Sequence, residues 1–309
     1  MEEQDHGHGG HDHPHDPIRK IEPQLPEHVL RLISLGETMG SRGLWVVEDN
    51  RLKGDELKSK GLTKGLSYFE KRFTIMRTVL AEKGIISSEE LQTRINILKE
   101  GGATKDMQSL ALGVMAATDI LVEKEVVKRD ELDRKYEQVR ARTPMTGARI
   151  VARAWVDPDF KNRLKNDAVN AITKLDSELL SANSGEPIDT WRITHLKIIE
   201  NEDKVRNVVV CTLCSCYPRG LLGEPPEWYT SDEYRERVVK EPRKVLAEMG
   251  DNLPDNVEIR IFDSTADTRY MVIPNRPAGT EAFSEEQLAD LVTRDSLIGV
   301  ADAESPARK

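Results

Sequence analysis

The chain has 309 residues, of which 32% are charged and 38% hydrophobic, and its formal net charge is -9. This length suits two domains, or one domain with a substantial extension. Lysines and arginines are interspersed with acidic residues, which argues against a nucleic-acid-binding surface. No stretch approaches the roughly 20 apolar residues that span a bilayer, and the N-terminus has no apolar signal segment. We therefore expect a cytoplasmic protein without nucleic-acid or membrane partners.

Residues 1–26 are predicted to be a disordered, histidine-rich tail. Its histidines are His6, His8, His11, His13 and His15, and they lie among Gly, Asp and Pro. Such a composition cannot bury enough apolar surface to form a packed core. Two interpretations stay open: loose capture of divalent metal by imidazoles and carboxylates, and a solvated tail or cloning tag.

Residues 27–103 are predicted to form a helical module. Apolar residues recur at helical spacing over 28–39 and again over 68–80, and Gly84 is a plausible C-cap. The Lys- and Gly-rich stretch 53–65 is predicted to interrupt this helical pattern.

A sequence echo links the segments 80–91 and 121–132, which lie 41 residues apart. Both contain a Glu-Lys pair, then two apolar residues, then an acidic pair before a leucine. Two copies are too few for a solenoid, which needs at least three. We interpret them as two similar helical hairpins, and as a sign that two modules meet near 101–103.

Residues 104–300 are predicted to form a mixed α/β domain, followed by a tail at 301–309. The segment 144–182 has helical spacing, whereas the chain beyond it changes character. β-Branched, alternating or apolar runs predict three strands, at 205–210, 257–262 and 269–273. Between the first two strands, 233–250 is predicted to be a helix that ends at glycine. The expected fold class is therefore α+β, a helical module followed by this mixed domain.

The cysteines of the chain all lie within six residues, as Cys211, Cys214 and Cys216. Three thiols leave one unpaired, and their spacing is too tight for an ordinary disulfide. The thiolates are instead placed to converge on one soft or borderline metal. The peptide nitrogens of Ser215 and Cys216 would then lie near the metal. Deprotonated amides suit a trivalent ion such as Co(III) or Fe(III), which would leave a sixth position for water.

A structural zinc ion is the alternative for this loop. Zinc commonly takes three cysteines and a remote fourth ligand, and His28 and His195 are the histidines outside the tail. An iron–sulfur cluster normally requires four cysteines. The spacing alone therefore leaves zinc open.

The cysteine loop resembles the metal-binding loop of the nitrile hydratase α subunit. The likeness begins with the loop and its flanks, 210–218, and extends over about 117–300. The further matching segments are 147–155, 222–229, 234–243, 276–281 and 293–296. The thiocyanate hydrolase γ subunit is similar over the same span. The resemblance implies a nitrile hydratase α-subunit-like fold for this domain.

The resemblance also implies one Co(III) or Fe(III) per chain, held by the three cysteine sulfurs and the amides of Ser215 and Cys216. It implies oxidation of Cys214 to a sulfinate and of Cys216 to a sulfenate. The loop residue Thr212, with Tyr217 after it, is similar to cobalt-type members, so Co(III) is expected and Fe(III) is the alternative.

The implied activity is hydration of a nitrile to its amide, with Cys216 as nucleophile or base. Two departures from the family favour an anionic substrate instead, since Arg219-Gly220 stands where Trp-Pro is common and Arg192 where a glutamine is common. Thiocyanate hydrolysis is therefore one alternative function. A metallochaperone or scaffold without turnover is another.

The segment before residue 100 resembles the N-terminal half of the nitrile hydratase β subunit, at 43–51, 67–70 and 80–84. In that family, β-subunit arginines hydrogen-bond the oxidised cysteine oxygens, which implies that Arg51 is a catalytic residue. The barrel half of that β subunit has no counterpart in the sequence. We therefore expect a hetero-oligomer with a separate small barrel subunit.

Overall fold

The computed structural model describes residues 18, 25–101, 108–179, 195–212, 216–265 and 267–306. The predictions made for the histidine-rich segment, Arg192, Cys214 and Ser215 lie outside these residues. Within them, the mixture of helices and strands confirms the α+β class. None of the described helices is long and apolar enough to cross a bilayer.

The N-terminal part of the chain consists of helices. They are α1 (Glu27–Ser41), α2 (Val47–Ser59), α3 (Tyr68–Glu82), α4 (Ser88–Glu100), α5 (Ser109–Glu123) and α6 (Arg129–Arg140). They form three helix–turn–helix units, α1/α2, α3/α4 and α5/α6, which we call hairpins and whose first helices all have 15 residues. Each first helix begins 41 residues after the previous one. The sequence echo therefore belongs to a threefold repeat, and its first copy is α1/α2.

The same turn ends the first helix of each hairpin. A residue of positive φ follows the last turn, namely Gly43 (68°), Gly84 (67°) and Glu125 (57°). The next amide then donates to the carbonyl five residues earlier, with N–O distances of 3.0 Å for Leu44–Met39, 2.9 Å for Ile85–Leu80 and 2.9 Å for Val126–Leu121. This is the Schellman arrangement of a helix C-terminus. The prediction of Gly84 as a C-cap is confirmed.

The predicted interruption over 53–65 is wrong in its first half, because α2 continues to Ser59. Lys53 extends to form ion pairs with Glu56 and Glu82, so its charge stays on the helix surface. At Gly54 a β-carbon would lie 3.4 Å from Cδ1 of Ile75. The glycine therefore permits close packing of α2 on α3.

The three hairpins close on themselves, and we call residues 27–140 the helical ring. Helix α2 packs on α3, α4 packs on α5, and α6 packs back on α1. The first helices α1, α3 and α5 also contact one another. The buried apolar residues of the ring form one cluster that extends from Val29 to Val139. This cluster includes residues on both sides of the predicted module boundary at 103/104.

The C-terminal domain mixes short helices and strands. Its helices are α7 (Met145–Val156), α8 (Pro158–Asn166), α9 (Ala168–Leu179), α10 (Arg219–Leu222), α11 (Glu227–Thr230), α12 (Asp232–Lys240), α13 (Pro242–Glu248), α14 (Glu285–Ala289) and α15 (Arg294–Ile298). Its strands are β1 (Leu196–Glu200), β2 (Val205–Val210), β3 (Glu258–Asp263) and β4 (Arg269–Ile273). The three predicted strands are confirmed to within one residue, and β1 was not predicted. The single helix predicted over 233–250 is wrong, because Pro242 lacks an amide hydrogen and restricts the residue before it, so the helix breaks there.

The strands pair in parallel, β1 with β4 and β2 with β3. Every residue of β2 is buried, as is usual for a strand covered on both faces. Parallel pairing brings the carboxyl ends of β2 and β3 to the same edge, with Val210 opposite Asp263. The cysteine loop begins at this edge.

Candidate metal centre

The cysteine loop leaves the buried strand β2 at Cys211, and the described chain resumes at Cys216. Both cysteines are buried, with 0% and 5% of their surfaces exposed. Both are thiols rather than halves of a disulfide. The structure therefore buries two of the predicted ligands at the two ends of one loop, while Cys214 and Ser215 lie outside the described residues.

Asp263, at the end of β3, anchors the start of the loop. The Thr212 amide donates to its Oδ1 at 2.9 Å, and the Thr212 hydroxyl donates to its Oδ2 at 2.5 Å. One residue further on, the Ser264 amide donates to the Val210 carbonyl at 2.7 Å and extends the strand pairing to the loop base. Sequence reasoning missed Asp263. Its place beside the loop depends on the parallel register of β2 and β3, which sets it opposite Val210 and is not visible in the sequence.

Buried tyrosines hold the backbone on either side of the loop. The Tyr229 hydroxyl donates to the Cys216 carbonyl at 3.1 Å, and the Tyr234 hydroxyl donates to the Val209 carbonyl at 2.8 Å. Burial raises the pKa of both hydroxyls well above the ordinary range, and for Tyr229 the neighbouring Cys211 adds to the shift. Both groups therefore remain protonated donors. The predicted flanking residue Tyr217 packs edge-on against Tyr229, with ring centroids 5.0 Å apart.

Arg219 follows the loop and belongs to a buried ionic network. Its guanidinium pairs with Glu224 and donates to the Tyr68 hydroxyl at 3.2 Å. Arg142 donates to the same Glu224 at 3.1 Å, and to both carboxylate oxygens of Glu37 at 2.8 and 2.7 Å. Glu37 and Tyr68 are residues of the helical ring. The ring thus contacts the segment that immediately follows the cysteines.

Among the described residues, the charges in this network balance. Burial alone would lower the pKa of Arg219, but attraction to Glu224, followed by Tyr68 and Glu37, outweighs it and raises that pKa. The pKa of Arg142 is raised in the same way by Glu37 and Glu224 against the effect of burial. Two buried guanidiniums therefore face two buried carboxylates. Arg219 is charged, as the sequence predicts, but its network adds no net positive charge to the site.

Arg51 lies on α2 of the helical ring, where 40% of its side chain is exposed. It forms ion pairs with Glu48 and, at 4.0 Å, with Asp55 on the same helix. Its role toward oxidised cysteine oxygens remains a prediction. Gly220 lies in the short helix α10, directly after Arg219.

Cys211 and Cys216 are the two predicted cysteine ligands that belong to the described residues, and both are buried. Among them, no three His, Cys, Asp or Glu side chains converge, so His28 and His195 do not join Cys211 and Cys216 in such a group. The zinc alternative therefore finds no remote histidine in the described part of the chain. Ser264 Oγ is fully buried beside the loop base and has no hydrogen-bond partner among the described residues. A buried polar atom of this kind suits a site in which a bound group supplies the hydrogen-bond partner.

Sequence models of known families match both parts of the chain. That of the nitrile hydratase alpha chain matches residues 108–301, which is more than half of the chain. The chain belongs to the nitrile hydratase alpha chain family. A second model, of the N-terminal part of the nitrile hydratase beta subunit, matches residues 5–113. Both resemblances predicted from the sequence are confirmed.

Two curated relatives place this nitrile hydratase family member more closely. It is 47% identical over 212 residues to the low-molecular-weight cobalt-containing nitrile hydratase subunit alpha of Rhodococcus rhodochrous, covering 68% of this chain and 96% of that protein. It is 43% identical over 190 residues to thiocyanate hydrolase subunit gamma of Thiobacillus thioparus, covering 60% of this chain and 77% of that protein.

Solved structures of the same two kinds of enzyme are also similar to this chain. An Fe-type nitrile hydratase variant from Comamonas testosteroni Ni1 has a TM-score of 0.55 at 40% identity, covering 62% of this chain and 89% of that chain. A recombinant thiocyanate hydrolase with partially modified cobalt centres has a TM-score of 0.57 at 39% identity, covering 66% and 96%. The nitrile hydratase alpha-type fold therefore extends over most of the C-terminal two thirds of the chain.

Proposed function

We propose that this chain is the metal-binding subunit of an enzyme that hydrates a carbon–nitrogen triple bond, converting a nitrile to its amide. The observation that carries the proposal is the cysteine loop, whose ends Cys211 and Cys216 are buried in a nitrile hydratase alpha-type domain. Asp263 and Tyr229 support that loop from two sides.

Cobalt is the proposed metal, one per chain. The sulfurs of Cys211, Cys214 and Cys216 and the amides of Ser215 and Cys216 would hold it, with Cys214 oxidised to a sulfinate and Cys216 to a sulfenate. When bound, a trivalent ion supplies Lewis acidity toward water or toward a nitrile nitrogen. The cobalt-containing relative supports this choice, and the Fe-type structural neighbour keeps Fe(III) as the alternative.

The residues around the loop preorganise it. Asp263 accepts two hydrogen bonds from Thr212 and thereby fixes the chain direction just after Cys211. Tyr229 fixes the other end by donating to the Cys216 carbonyl. Because the pKa of Tyr229 is raised, it acts here as a fixed donor and not as a proton acceptor. Cys216 would then present its sulfur in one orientation to the substrate, which is the condition for efficient use of a positioned nucleophile or base.

Thiocyanate is the second candidate substrate, suggested in the sequence by the arginine at position 219. The buried Arg219 guanidinium donates to Glu224 and to Tyr68, so it offers an anion little net attraction. The similarity to a thiocyanate hydrolase gamma subunit supports the same candidate.

We also propose a separate barrel-type partner, in a hetero-oligomer. The support is the match of residues 5–113 to the N-terminal part of a nitrile hydratase beta subunit. We propose that Arg51, which is partly exposed on α2, hydrogen-bonds the oxidised cysteine oxygens in that assembly.

The test uses the full chain co-expressed with a small barrel-like protein from its operon, in cobalt-supplemented medium. The measurements are metal content, the mass of the peptide containing 211–216, and rates on an aliphatic nitrile and on thiocyanate. We expect one cobalt per chain, a peptide heavier by three oxygen atoms, and amide formation, all lost in Cys216→Ser. Stoichiometric zinc with unoxidised cysteines contradicts the metal assignment. Turnover of thiocyanate alone selects the second candidate, and full cobalt without turnover of either substrate favours a chaperone or scaffold.

A further inference from the structure

One contact joins the hairpins of the helical ring three times. At the end of each first helix, a basic side chain donates to a carbonyl in another hairpin's turn and pairs with the carboxylate near the start of that hairpin's second helix. The basic residues are Arg42, Lys83 and Lys124; their carbonyl partners are Val126, Leu44 and Ile85; their carboxylate partners are Glu131, Asp49 and Glu90. Arg42 closes the ring between its first and last hairpins, because it binds the turn before α6.

The ring departs from its own repeat at Glu37. The equivalent residues, at intervals of 41, are Thr78 and Asp119. Thr78 donates to the Thr74 carbonyl of its own helix at 2.8 Å, and Asp119 pairs with Arg129 at 3.0 Å with 31% of its side chain exposed. Glu37 is 1% exposed and directs both carboxylate oxygens to Arg142. Of these three positions, Glu37 is the one that serves the C-terminal domain.

Ring closure accounts for the meeting of Glu37 and Arg142. Arg142 lies two residues beyond α6, and α6 packs on α1, which contains Glu37. Arg142 also contacts Glu224, the carboxylate that pairs with Arg219. Among the described residues, loss of the Glu37 carboxylate would leave one buried glutamate, Glu224, facing two guanidiniums. Arg142 would then compete with Arg219 for Glu224, since an uncompensated buried charge is strongly unfavourable.

We propose that Glu37 is a positioning residue for the segment that follows the cysteine loop. By neutralising Arg142, Glu37 leaves Glu224 to hold Arg219, and the helical ring thereby determines how the chain leaves Cys216. The effect on turnover rests on the proposed function. The effect on the conformation of residues 216–224 does not, so the two are measured separately.

The test is hydrogen–deuterium exchange of the full chain, metal-free and cobalt-loaded, in Glu37→Gln. The reporters are the amides of Leu221 and Leu222, which donate to the Pro218 carbonyl at 2.9 and 3.1 Å. We expect their exchange to accelerate at least tenfold in the metal-free chain. Exchange in α4, which contributes no residue to this network, is expected to change less than twofold.

Three further variants separate charge balance from packing. Asp119→Asn alters the equivalent position of the third hairpin and is expected to leave residues 216–224 unchanged. The double variant Glu37→Gln/Arg142→Gln removes one charge of each sign, so Glu224 and Arg219 remain matched. It is expected to restore the slow exchange of Leu221 and Leu222. If Glu37→Gln alone does not fold, the double variant still carries the test. In that case Glu37→Asp, which keeps the charge, is expected to fold and to show an intermediate exchange rate.

The proposal is overturned if Glu37→Gln leaves exchange over 216–224 unchanged. It is equally overturned if the double variant exchanges as fast as the single variant, because Glu37 would then act through packing alone. A chain that shows the expected exchange pattern but converts neither nitrile nor thiocyanate supports the positioning role and contradicts the proposed function.

Discussion

The helical ring and the C-terminal domain are stabilised by different kinds of contact. In the ring, the same helical hairpin and the same contact between hairpins each occur three times, at intervals of 41 residues. In the C-terminal domain, the supporting contacts occur once each and join distant segments, as when Thr212 binds Asp263 across 51 residues. A repeated contact has two equivalents when one copy is lost. A unique contact beside the cysteine loop has none, so substitutions there are expected to affect the site most.

The largest expected effect compares two glycines of positive φ. Gly299 has φ 88°, and a β-carbon there would lie 1.8 Å from the carbonyl oxygen of Asn207 in β2, whereas Gly43 of the ring has φ 68° and nothing within 4 Å. We expect Gly299→Ala to lower the free energy of unfolding by more than about 4 kcal/mol, or to prevent folding. Gly43→Ala carries only the backbone cost of about 1 kcal/mol. Urea unfolding followed by circular dichroism measures both, and equal costs would contradict the comparison.

Arg51 tests whether a ring residue acts at the metal centre. We expect Arg51→Lys, in the assembled complex, to keep its fold and most of its metal but to lose activity about a hundredfold, because lysine lacks the planar fork that binds sulfur-bound oxygens. Steady-state kinetics with measured metal content decide this. The matched control is Arg42→Lys, since Lys83 and Lys124 already make the equivalent contact. Near-normal turnover in Arg51→Lys would show that the arginine is ordinary surface.

Asp263 tests the anchor at the base of the loop. Asp263→Ala removes both acceptors of Thr212, and we expect a loss of about 10- to 100-fold in activity or metal affinity, the range seen when a group that orients metal ligands is removed. The control is Glu90→Ala on α4, which breaks one of the three equivalent contacts between hairpins and is expected to leave activity and metal content unchanged. Cobalt titration and kinetics on both variants test the contrast. Full activity in Asp263→Ala would mean that the strand pairing alone holds the loop.

The carboxylates that pair with a basic residue of another hairpin predict that the stability of the ring depends on pH. Hydrogen bonds from Lys83, Lys124 and Arg42 lower the folded-state pKa of Asp49, Glu90 and Glu131. Each group therefore binds protons less readily when folded, and its stabilising effect is fully present above the unfolded-state pKa. The effect is lost as the pH falls through the ordinary carboxyl range toward the folded values.

We expect protection of the ring amides to fall together in all three hairpins on acidification, and to fall less at high salt, which screens these exposed pairs already at neutral pH. Hydrogen exchange at a series of pH values, corrected for intrinsic rates, measures it. Loss confined to a single hairpin would show that the three contacts do not act as one set.

The smallest expected effect concerns the third turn of the ring. Glu125 adopts a φ of 57° where the other two hairpins have glycine. We expect Glu125→Gly to raise the free energy of unfolding by about 0.5–1 kcal/mol, because the left-handed conformation is unfavourable for a residue with a β-carbon. Lys124→Gly, one residue earlier, lacks this benefit and is expected to destabilise. A neutral or negative result for Glu125→Gly would mean that the side chain contributes contacts that outweigh the backbone strain.

The sequence alone was sufficient where a local pattern encodes the answer. The β-branched run of β2, the apolar run of β4 and the C-cap at Gly84 follow from period and residue type over a few positions. The cysteine loop is recognisable for the same reason, because metal ligands at short spacing need no distant partner to be identified. The first copy of the repeat, α1/α2, was missed because it keeps the helical pattern of the other two copies but few of their residue types.

Only the tertiary structure decided which distant residues meet. Asp263 lies beside Thr212 because β2 and β3 pair in a parallel register, and Glu37 lies beside Arg142, 105 residues away, because α6 packs on α1. Neither pairing leaves a mark at short range, since each depends on how whole helices and strands bury their apolar faces. The sequence therefore supplied the proposed ligands of the centre, and the packing determined which residues support the two ends of their loop.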